Sequence, residues 1–469
     1  MISKNSIGKI ILILLKVSLS ATAMANLNFV NVKDFGAVGD GQNDDSAAIQ
    51  KAIDSIQTSG GTVFFPIGRY RIKKTILLTG QPPSNNKDWG WIVLRGSGSG
   101  SFLLGDGVDY IIAAGKNPGA KSNYINGVRI KELSFSSFDI KKRSSGINLT
   151  YMLRWYIQDC NFQILQKGVY ADGTRDADKK SKAIWIGRIL NNIFSRNLNW
   201  SIDIGRCFDI VIANNVIEHG YGGICIGRPG DKYDAAANTV RIENNVIEGL
   251  CISSSRPAIL GSCWIGGRIV GNYLEANGGG DICLMPGKED GWSRGMVIAS
   301  NTFQPTEKQR KDPAYGPLYL RKIKDAVIYG NFCTGKNLFH KKSESWGSGI
   351  NIYSNTINNP ASVGTLEGAS GKEQAEYLKT LSKYGSHTQR LSVSGASGKI
   401  ELDAKRGFTN NGRSISFGLL PSSGDPRKRE CGDIIFNQAP ESVGGKIILG
   451  WVCIKSGIPG EWQPIVIRK

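Results

Sequence analysis

The sequence predicts an all-β fold: a right-handed, single-stranded parallel β-helix with an N-terminal capping helix and a small C-terminal β domain. Three observations lead there. A short strand–Asn–strand pattern recurs along the middle of the chain. Glycine is abundant, at 59 of 469 residues, as short strands joined by many turns require. An amphipathic helix precedes the repeats and has the face needed to close the open end of a coil.

The repeat reads apolar-x-apolar-x-x-Asn-x-apolar. It occurs as "IVIANNVI" on Asn215, "VRIENNVI" on Asn245, "MVIASNTF" on Asn301 and "INIYSNTI" on Asn355. "GRILNNIF" on Asn192, "GRIVGNYL" on Asn272 and "AVIYGNFC" on Asn331 belong with them, and Leu133 and Cys160 occupy the same position in earlier, degenerate copies. Successive anchors are 23 to 32 residues apart. Each copy alternates apolar residues with a period of two, so it is a half-buried strand that cannot bury its own face. Stacking copies buries a continuous core, three strands per turn, with about 4.8 Å between turns. The Asn is expected at a sharp bend, tolerating left-handed dihedrals and bonding its neighbours into a ladder.

The elements follow in order. Residues 1–25, "MISKNSIGKIILILLKVSLSATAMA", have Lys4 and Lys9, an apolar run Ile10–Leu15 and a small-x-small end at Ala23-Met24-Ala25. This is a signal peptide with cleavage before Asn26, and the run is too short for a stable membrane anchor. The expected location is secreted or periplasmic. Residues 26–100 form the N-terminal cap and first turns. Asp44 or Asp45 caps a helix Ser46–Thr58 that places Ala48, Ile49, Ala52, Ile53 and Ile56 on one face, and "TVFFP" is a strand. Residues 101–360 are the parallel coil, 361–385 a helical linker ("GKEQAEYLKTLSKYG"), and 386–469 a C-terminal β domain without the Asn repeat.

Composition narrows the partners. A formal charge of +19 suits an acidic polymer, and export turns the choice away from nucleic acid and toward an acidic glycan. None of the nine cysteines precedes Cys160, and no CxxC provides zinc spacing. Cys225 and Cys283 read as small side chains stacked on neighbouring strands, and Cys431 and Cys453 are close enough in sequence to pair.

The segment "DFGAVGDGQNDDSAAIQKAI…GGTVFFPIGRY" closely resembles the entry segment of the pectate-lyase-like (pectin-lyase-like) β-helix superfamily, which includes polygalacturonases, secreted polysaccharide lyases and phage tailspike depolymerases. The Asn repeat extends the likeness to about residue 360. The C-terminal "GDIIFNQAPESVGGKIILGWVCIKSGIPGEWQPIVI" is similar to terminal modules of bacterial and phage β-helix depolymerases. The resemblance implies a protein that handles polysaccharide, with its site on the strands that follow the glycines and on their bordering loops. It also implies that a trimer is open and that calcium held by carboxylates accompanies some eliminations; otherwise no cofactor or metal is expected. It leaves the reaction open, because one fold hosts hydrolases, lyases and binders.

Two sets of residues are candidates for chemistry. Glu218, Glu248 and Glu275 each stand three residues after an anchor Asn. Stacked one coil apart they would lie about 5 Å from one another, and about 10 Å across two coils, the separations of retaining and inverting hydrolysis. The second set is the aligned strands "SIDIG", "GICIG", "DICLMP" and "PLYLR", whose outward residues would be Asp203, Cys225, Cys283 and Tyr319, with Asp281 and Arg321 flanking. Asp172 in "GVYADG" is a further candidate, and His219 in "EHGY" a candidate acid/base beside Glu218. When "ICIG" is aligned on the polygalacturonase motif, the family His falls on Gly222, its paired Asp near Asn199 and Trp200, and its Arg-Ile-Lys has no counterpart in "PAILGS". That machinery is therefore not carried over. Arg228, Arg256, Arg321 and Lys288 are expected to meet a uronate carboxylate, and Trp264, Trp292, Tyr233 and Tyr319 to meet sugar rings. The leading reading is hydrolysis of an anionic polysaccharide. The alternatives are uronate β-elimination and non-catalytic glycan binding.

Overall fold

The computed structural model describes residues 28–57, 59–79, 92–114, 125–173, 184–228, 237–251, 253–287, 291–343, 349–353 and 355–357, together with 408–410, 413–418, 434–437, 442–443, 446–456 and 461–468. The signal peptide, the helical linker, Tyr233, Lys288 and Cys431 lie outside these residues. The chain forms two units, 1–363 and 364–469.

The first unit is a right-handed parallel β-helix. Three sheets run along it, and the chain visits them in a fixed order. Sheet A extends from Phe29–Asn31 to Asn351–Tyr353, sheet B from Asp40–Asp44 to Thr356–Ile357, and sheet C from Ile76–Leu78 to Leu318–Leu320. Coiling begins at Phe29, so the segment assigned to the cap already supplies strands to all three sheets.

In-register pairing turns the period-two alternation into columns of like side chains. Sheet A stacks Ile130, Ile157, Ile189, Ile212, Ile242, Ile269, Ile298 and Ile328 in line. Each is essentially sealed from solvent, and burial of one such side chain stabilises by about 1.5–3 kcal/mol. Sheet B stacks Phe135, Phe162 and Phe194 with ring centroids 4.8 Å apart, one coil repeat. Sheet C contributes Ile202, Ile224, Ile259 and Ile282.

Between sheets A and B runs the asparagine ladder. Asn192, Asn215, Asn245, Asn272, Asn301, Asn331 and Asn355 each accept, on the side-chain oxygen, from the backbone N–H one coil earlier at 2.9–3.0 Å. Cys160 stands in this column as the sequence predicts and donates its N–H to Asn192. One expectation is corrected. The left-handed residue is not the ladder Asn but the one before it: Asp159, Asn191, Asn214, Asn244, Gly271, Ser300 and Gly330 all have φ between 54° and 69°. That residue turns the chain, which leaves the ladder Asn buried and free to bond along the axis.

At the open end, helix Ser46–Asp54 buries Ile49, Ala52 and Ile53. It is shorter than the predicted Ser46–Thr58. Asp45 is the N-cap residue, but its carboxylate accepts from Val38 and Gly39 N–H and pins the preceding loop, while Asp44 accepts from Ser46 N–H at 3.0 Å. Among the described residues, the second unit holds a six-stranded, mainly antiparallel sheet in which Arg413–Gly418 and Ile434–Asn437 pair in parallel. Its longest pairing joins Lys446–Lys455 to Glu461–Arg468.

Candidate functional site

The predicted alignment of sheet C is present, with Leu260 inserted. Tyr170, Asp203, Cys225, Leu260, Cys283 and Tyr319 pair in register along one line. Their exposure differs from expectation. Asp203 is only 3% exposed and Cys225 2%, because long side chains from adjoining coils close over the row. Lys167 Nζ lies 2.6 Å from one Asp203 oxygen and Arg228 Nε 2.8 Å from the other. Two charges taken out of water persist only when they are paired in this way.

Arg228 is committed more deeply than a substrate-binding arginine would be. It also donates to the carbonyls of Asp172 and Ala171, at 2.6 and 2.8 Å, and its guanidinium lies within 3.9 Å of the Asp172 carboxylate. Its path crosses Gly205, where an added Cβ would come within 2.8 Å of the guanidinium. Burial pulls the Arg228 pKa down, but Asp203 and then Tyr170 outweigh it and raise the net value. Arg228 is thus a staple across three coils.

Lys167 is different. It is partly exposed, and its ammonium sits 4.3 Å from the centre of the Tyr170 ring, which stacks on Tyr110 at 5.5 Å. Burial, then Tyr170 and Asp203, hold the Tyr110 phenol well above the usual tyrosine range. Aromatic rings grouped with a cation over one of them and a carboxylate paired to that cation are the composition that receives an amphipathic, charged ring. Sequence reading passed over Lys167, Tyr110 and Tyr170. The signal available was "QKGVYADG", whose strand was aligned only through Asp172.

Asp281 belongs to the turn that enters sheet C. It is buried, and accepts from Asn277 Nδ2 at 3.0 Å and from the Tyr315 hydroxyl at 2.8 Å. Asn197 and Ser201 make the same four-residue link three coils earlier, so Asp281 ties a turn together. Burial pushes its pKa up to about 6. Burial also pushes the Cys283 thiol up to about 12, which keeps it protonated and agrees with a packing role.

Trp264 is corrected from a loop residue to a core one. It is fully buried, its Nε1 donates to the Ile226 carbonyl at 3.0 Å, and its ring fills the space over Gly261. Trp292 remains partly exposed, with Lys322 and Lys324 ammonium groups 5.5 and 5.9 Å from its ring. Arg256 lies 6.0 Å from the Trp200 ring, Tyr319 packs on His340 at 4.8 Å, and Arg321 is half-buried at the end of the Leu318–Leu320 strand.

The glutamate row is in register on sheet B: Glu218 pairs with Glu248, and Glu248 with Glu275. It continues as Ser195 on one side and Gln304 on the other. The Tyr273 hydroxyl donates to Glu275 at 2.7 Å, which pushes the phenol up to about 12. His219 is 61% exposed, 3.7 Å from Glu218, and has φ of 53°. Arg196, Gly249 and Ala276 share that left-handed conformation in neighbouring coils, so His219 occupies a framework bend. Sheets B and C are separate faces, so the glutamate row and the Lys167 platform form two loci. The calcium implied for an elimination finds no cluster of three or more His, Cys, Asp or Glu side chains to hold it among the described residues.

Residues 29–245 match a family model described as rhamnogalacturonase A/epimerase, pectate lyase-like. Mannuronan C5-epimerase AlgE5 of Azotobacter vinelandii is 46% identical over 84 residues, 17% of this chain and 8% of that protein. Alginate lyase 7 of the same organism is 60% identical over 43 residues, 9% and 5% of the two chains. The plasmin and fibronectin-binding protein A of Streptococcus pneumoniae is 51% identical over 51 residues, 10% and 7%. The matches therefore span less than a tenth of these relatives' lengths. Among solved structures, the tailspike of Acinetobacter baumannii phage AM24 superposes with a TM-score of 0.55 at 19% identity, over 70% of this chain and 54% of that one. PfbA, a surface adhesin of Streptococcus pneumoniae, gives 0.51 at 15% identity, over 70% and 84%. At such identities these two share the fold. With its asparagine ladder and three-sheet coil, the chain has the parallel β-helix fold, and its residues 29–245 match the pectate-lyase-like family model.

Proposed function

We propose that this protein binds an acidic polysaccharide along sheet C and modifies it beside Lys167. The observation that carries this reading is the Tyr110–Tyr170 stack with the Lys167 ammonium over the Tyr170 ring. A sugar ring would pack against the exposed part of the Tyr110–Tyr170 stack while its uronate carboxylate shares the ammonium with Asp203. The favoured chemistry is that of a uronate carboxylate neutralised by the Lys167 ammonium, a requirement that β-elimination and epimerisation share, since a cation stabilises the charge that develops on that carboxylate. Two considerations favour it over hydrolysis on this face. Asp203 and Asp281 already have both oxygens engaged, so neither is an uncommitted acid or base. The short matches include mannuronan C5-epimerases and an alginate lyase.

Hydrolysis is the second reading, and it rests on the glutamate row. One coil separates Glu218 from Glu248, about 4.8 Å, close to the spacing of a retaining pair. Export to the periplasm or beyond is part of the proposal, and determining the N-terminus of the mature protein checks it.

Incubation with polymannuronate and polygalacturonate separates the readings. Ultraviolet absorbance from unsaturated uronates indicates elimination, and a changed C5 configuration at constant chain length indicates epimerisation. New reducing ends without that absorbance sink both and move the site to sheet B. Retention without products makes the protein a binder. Lys167→Met is expected to lower turnover roughly 100-fold, as loss of one well-placed charge stabiliser does. Glu218→Gln, Glu248→Gln and Glu275→Gln are each expected to leave it within about twofold, the result for groups that make no contact in the transition state.

A further inference from the structure

Sheet A carries a feature that the proposed site does not use. Its outward face holds a line of side chains paired in register from coil to coil: Arg129, Tyr156, Arg188, Val211, Arg241 and Arg268. These residues alternate with the buried isoleucine column, which fixes them on the solvent side. Arg129, Arg241 and Arg268 are exposed, and Arg188 is half-buried. Five coil steps make the line roughly 24 Å long, parallel to the axis. In the flanking row Trp185 and Phe208 stack at 4.4 Å, with Trp185 39% exposed.

Such a line is unfavourable in isolation. Like charges directly opposite one another on adjacent strands repel, and Arg241 and Arg268 are direct partners. Part of that repulsion is relieved within the sheet. Glu243 reaches Arg268 at 3.7 Å, and Arg188 is held flat by donating to the Gly187 and Asp209 carbonyls at 2.8 and 2.9 Å. Arg129 lies over Tyr156, 5.0 Å from its centre. Guanidinium groups fixed this way present donor forks suited to carboxylates.

We infer that sheet A is a second docking face, which holds the anionic polysaccharide along the coil axis, away from the sheet C platform. The inference rests on the acidic-glycan reading for its ligand class. The spacing favours a polyuronate over duplex DNA. Guanidinium groups recur every one or two coils, about 5 or 10 Å, whereas duplex DNA presents a charge every ~1.7 Å of axis. One carboxylate per sugar is the nearer match, and the Trp185–Phe208 pair offers an apolar face to a ring. A polymer held here remains attached while segments engage and leave sheet C, as linked binding sites do.

The test is retention of the full chain on immobilised polymannuronate and polygalacturonate, with dextran and duplex DNA as separate arms. The variants are Arg129→Ser/Arg188→Ser/Arg241→Ser, a milder Arg241→Gln/Arg268→Gln, and Lys167→Met, each checked for a wild-type circular dichroism spectrum. The triple variant is expected to bind a polyuronate roughly 30-fold more weakly, two exposed charges and one half-buried charge each contributing modestly. The double variant should fall between it and wild type, and Lys167→Met should weaken retention less than the triple variant does. Unchanged retention in the triple and double variants overturns the inference. So does retention lost in Lys167→Met but kept in the triple variant, which would leave the sheet C reading standing. Duplex DNA held as tightly as polyuronate overturns the glycan assignment. Wild type that passes both polyuronate columns overturns this inference and the acidic-glycan reading together.

Discussion

Asn245→Ala is expected to destabilise the β-helix by about 4 kcal/mol, because two buried backbone groups lose their partners at roughly 1–3 kcal/mol each. Asn245 is 1% exposed and stands mid-ladder. Its Nδ2 donates to the Ile212 carbonyl at 3.0 Å and to Asn272 Oδ1 at 2.9 Å. Its Oδ1 accepts from the Asn215 backbone N–H at 3.0 Å and from Asn215 Nδ2 at 2.9 Å. Alanine orphans the Ile212 carbonyl and the Asn215 N–H. Each coil touches only its neighbours, so the break should divide the coil's cooperativity as well as lower its stability. The contrast is Asn214→Gly, one residue earlier. Asn214 is exposed with φ of 56°, a conformation glycine adopts freely, so that variant should stay within about 0.5 kcal/mol of wild type. Urea midpoints for the two variants check this. Equal shifts would mean that the ladder bonds contribute little.

The second large effect is at Asp281. In the folded protein its pKa is about 6, raised from 3.8 by burial that the Asn277 and Tyr315 hydrogen bonds only partly offset. A raised carboxyl pKa means the fold binds the proton more tightly than the unfolded chain does. Stability from this group is therefore greatest below about pH 4, declines as pH rises toward 6, and stays low above it. Two units correspond to about 3 kcal/mol. Asp281→Asn removes the charge, while its amide oxygen can still accept from Asn277 and its nitrogen can donate to the Tyr315 oxygen. At pH 7 the variant should gain up to about 3 kcal/mol over wild type, with the gain vanishing near pH 4. Denaturation at the two pH values checks the sign. A variant less stable than wild type at both would show that the carboxylate is accommodated. Turnover retained by the same variant would place Asp281 in the framework.

Periodicity made most of the architecture legible. The anchors Asn192 to Asn355, with Cys160 in place of an Asn, could be aligned because each strand's apolar alternation repeats with little drift. The in-register glutamate row followed from the same alignment. Other features were not legible. The left-handed residue lies one position before each ladder Asn and is filled by Asp, Asn, Ser or Gly, so it leaves no single-letter signature. Trp264 sits among glycines in a stretch that resembles a loop, yet the chain there makes a two-residue strand and turns the ring inward.

By itself the sequence determined the coil, its cap and which residues share a row, since these depend on local alternation repeated along the chain. The tertiary structure alone decided which row residues reach a ligand. Asp203 reads as an outward carboxylate, but Lys167 lies 36 residues before it and Arg228 25 after, and only coil stacking brings them together over it. Stacking also gathers Arg129, Arg188, Arg241 and Arg268 into one line, although they are scattered across 140 residues of chain. Burial and charge at a site depend on neighbours one coil away, and a coil's length varies too much for linear spacing to specify those neighbours.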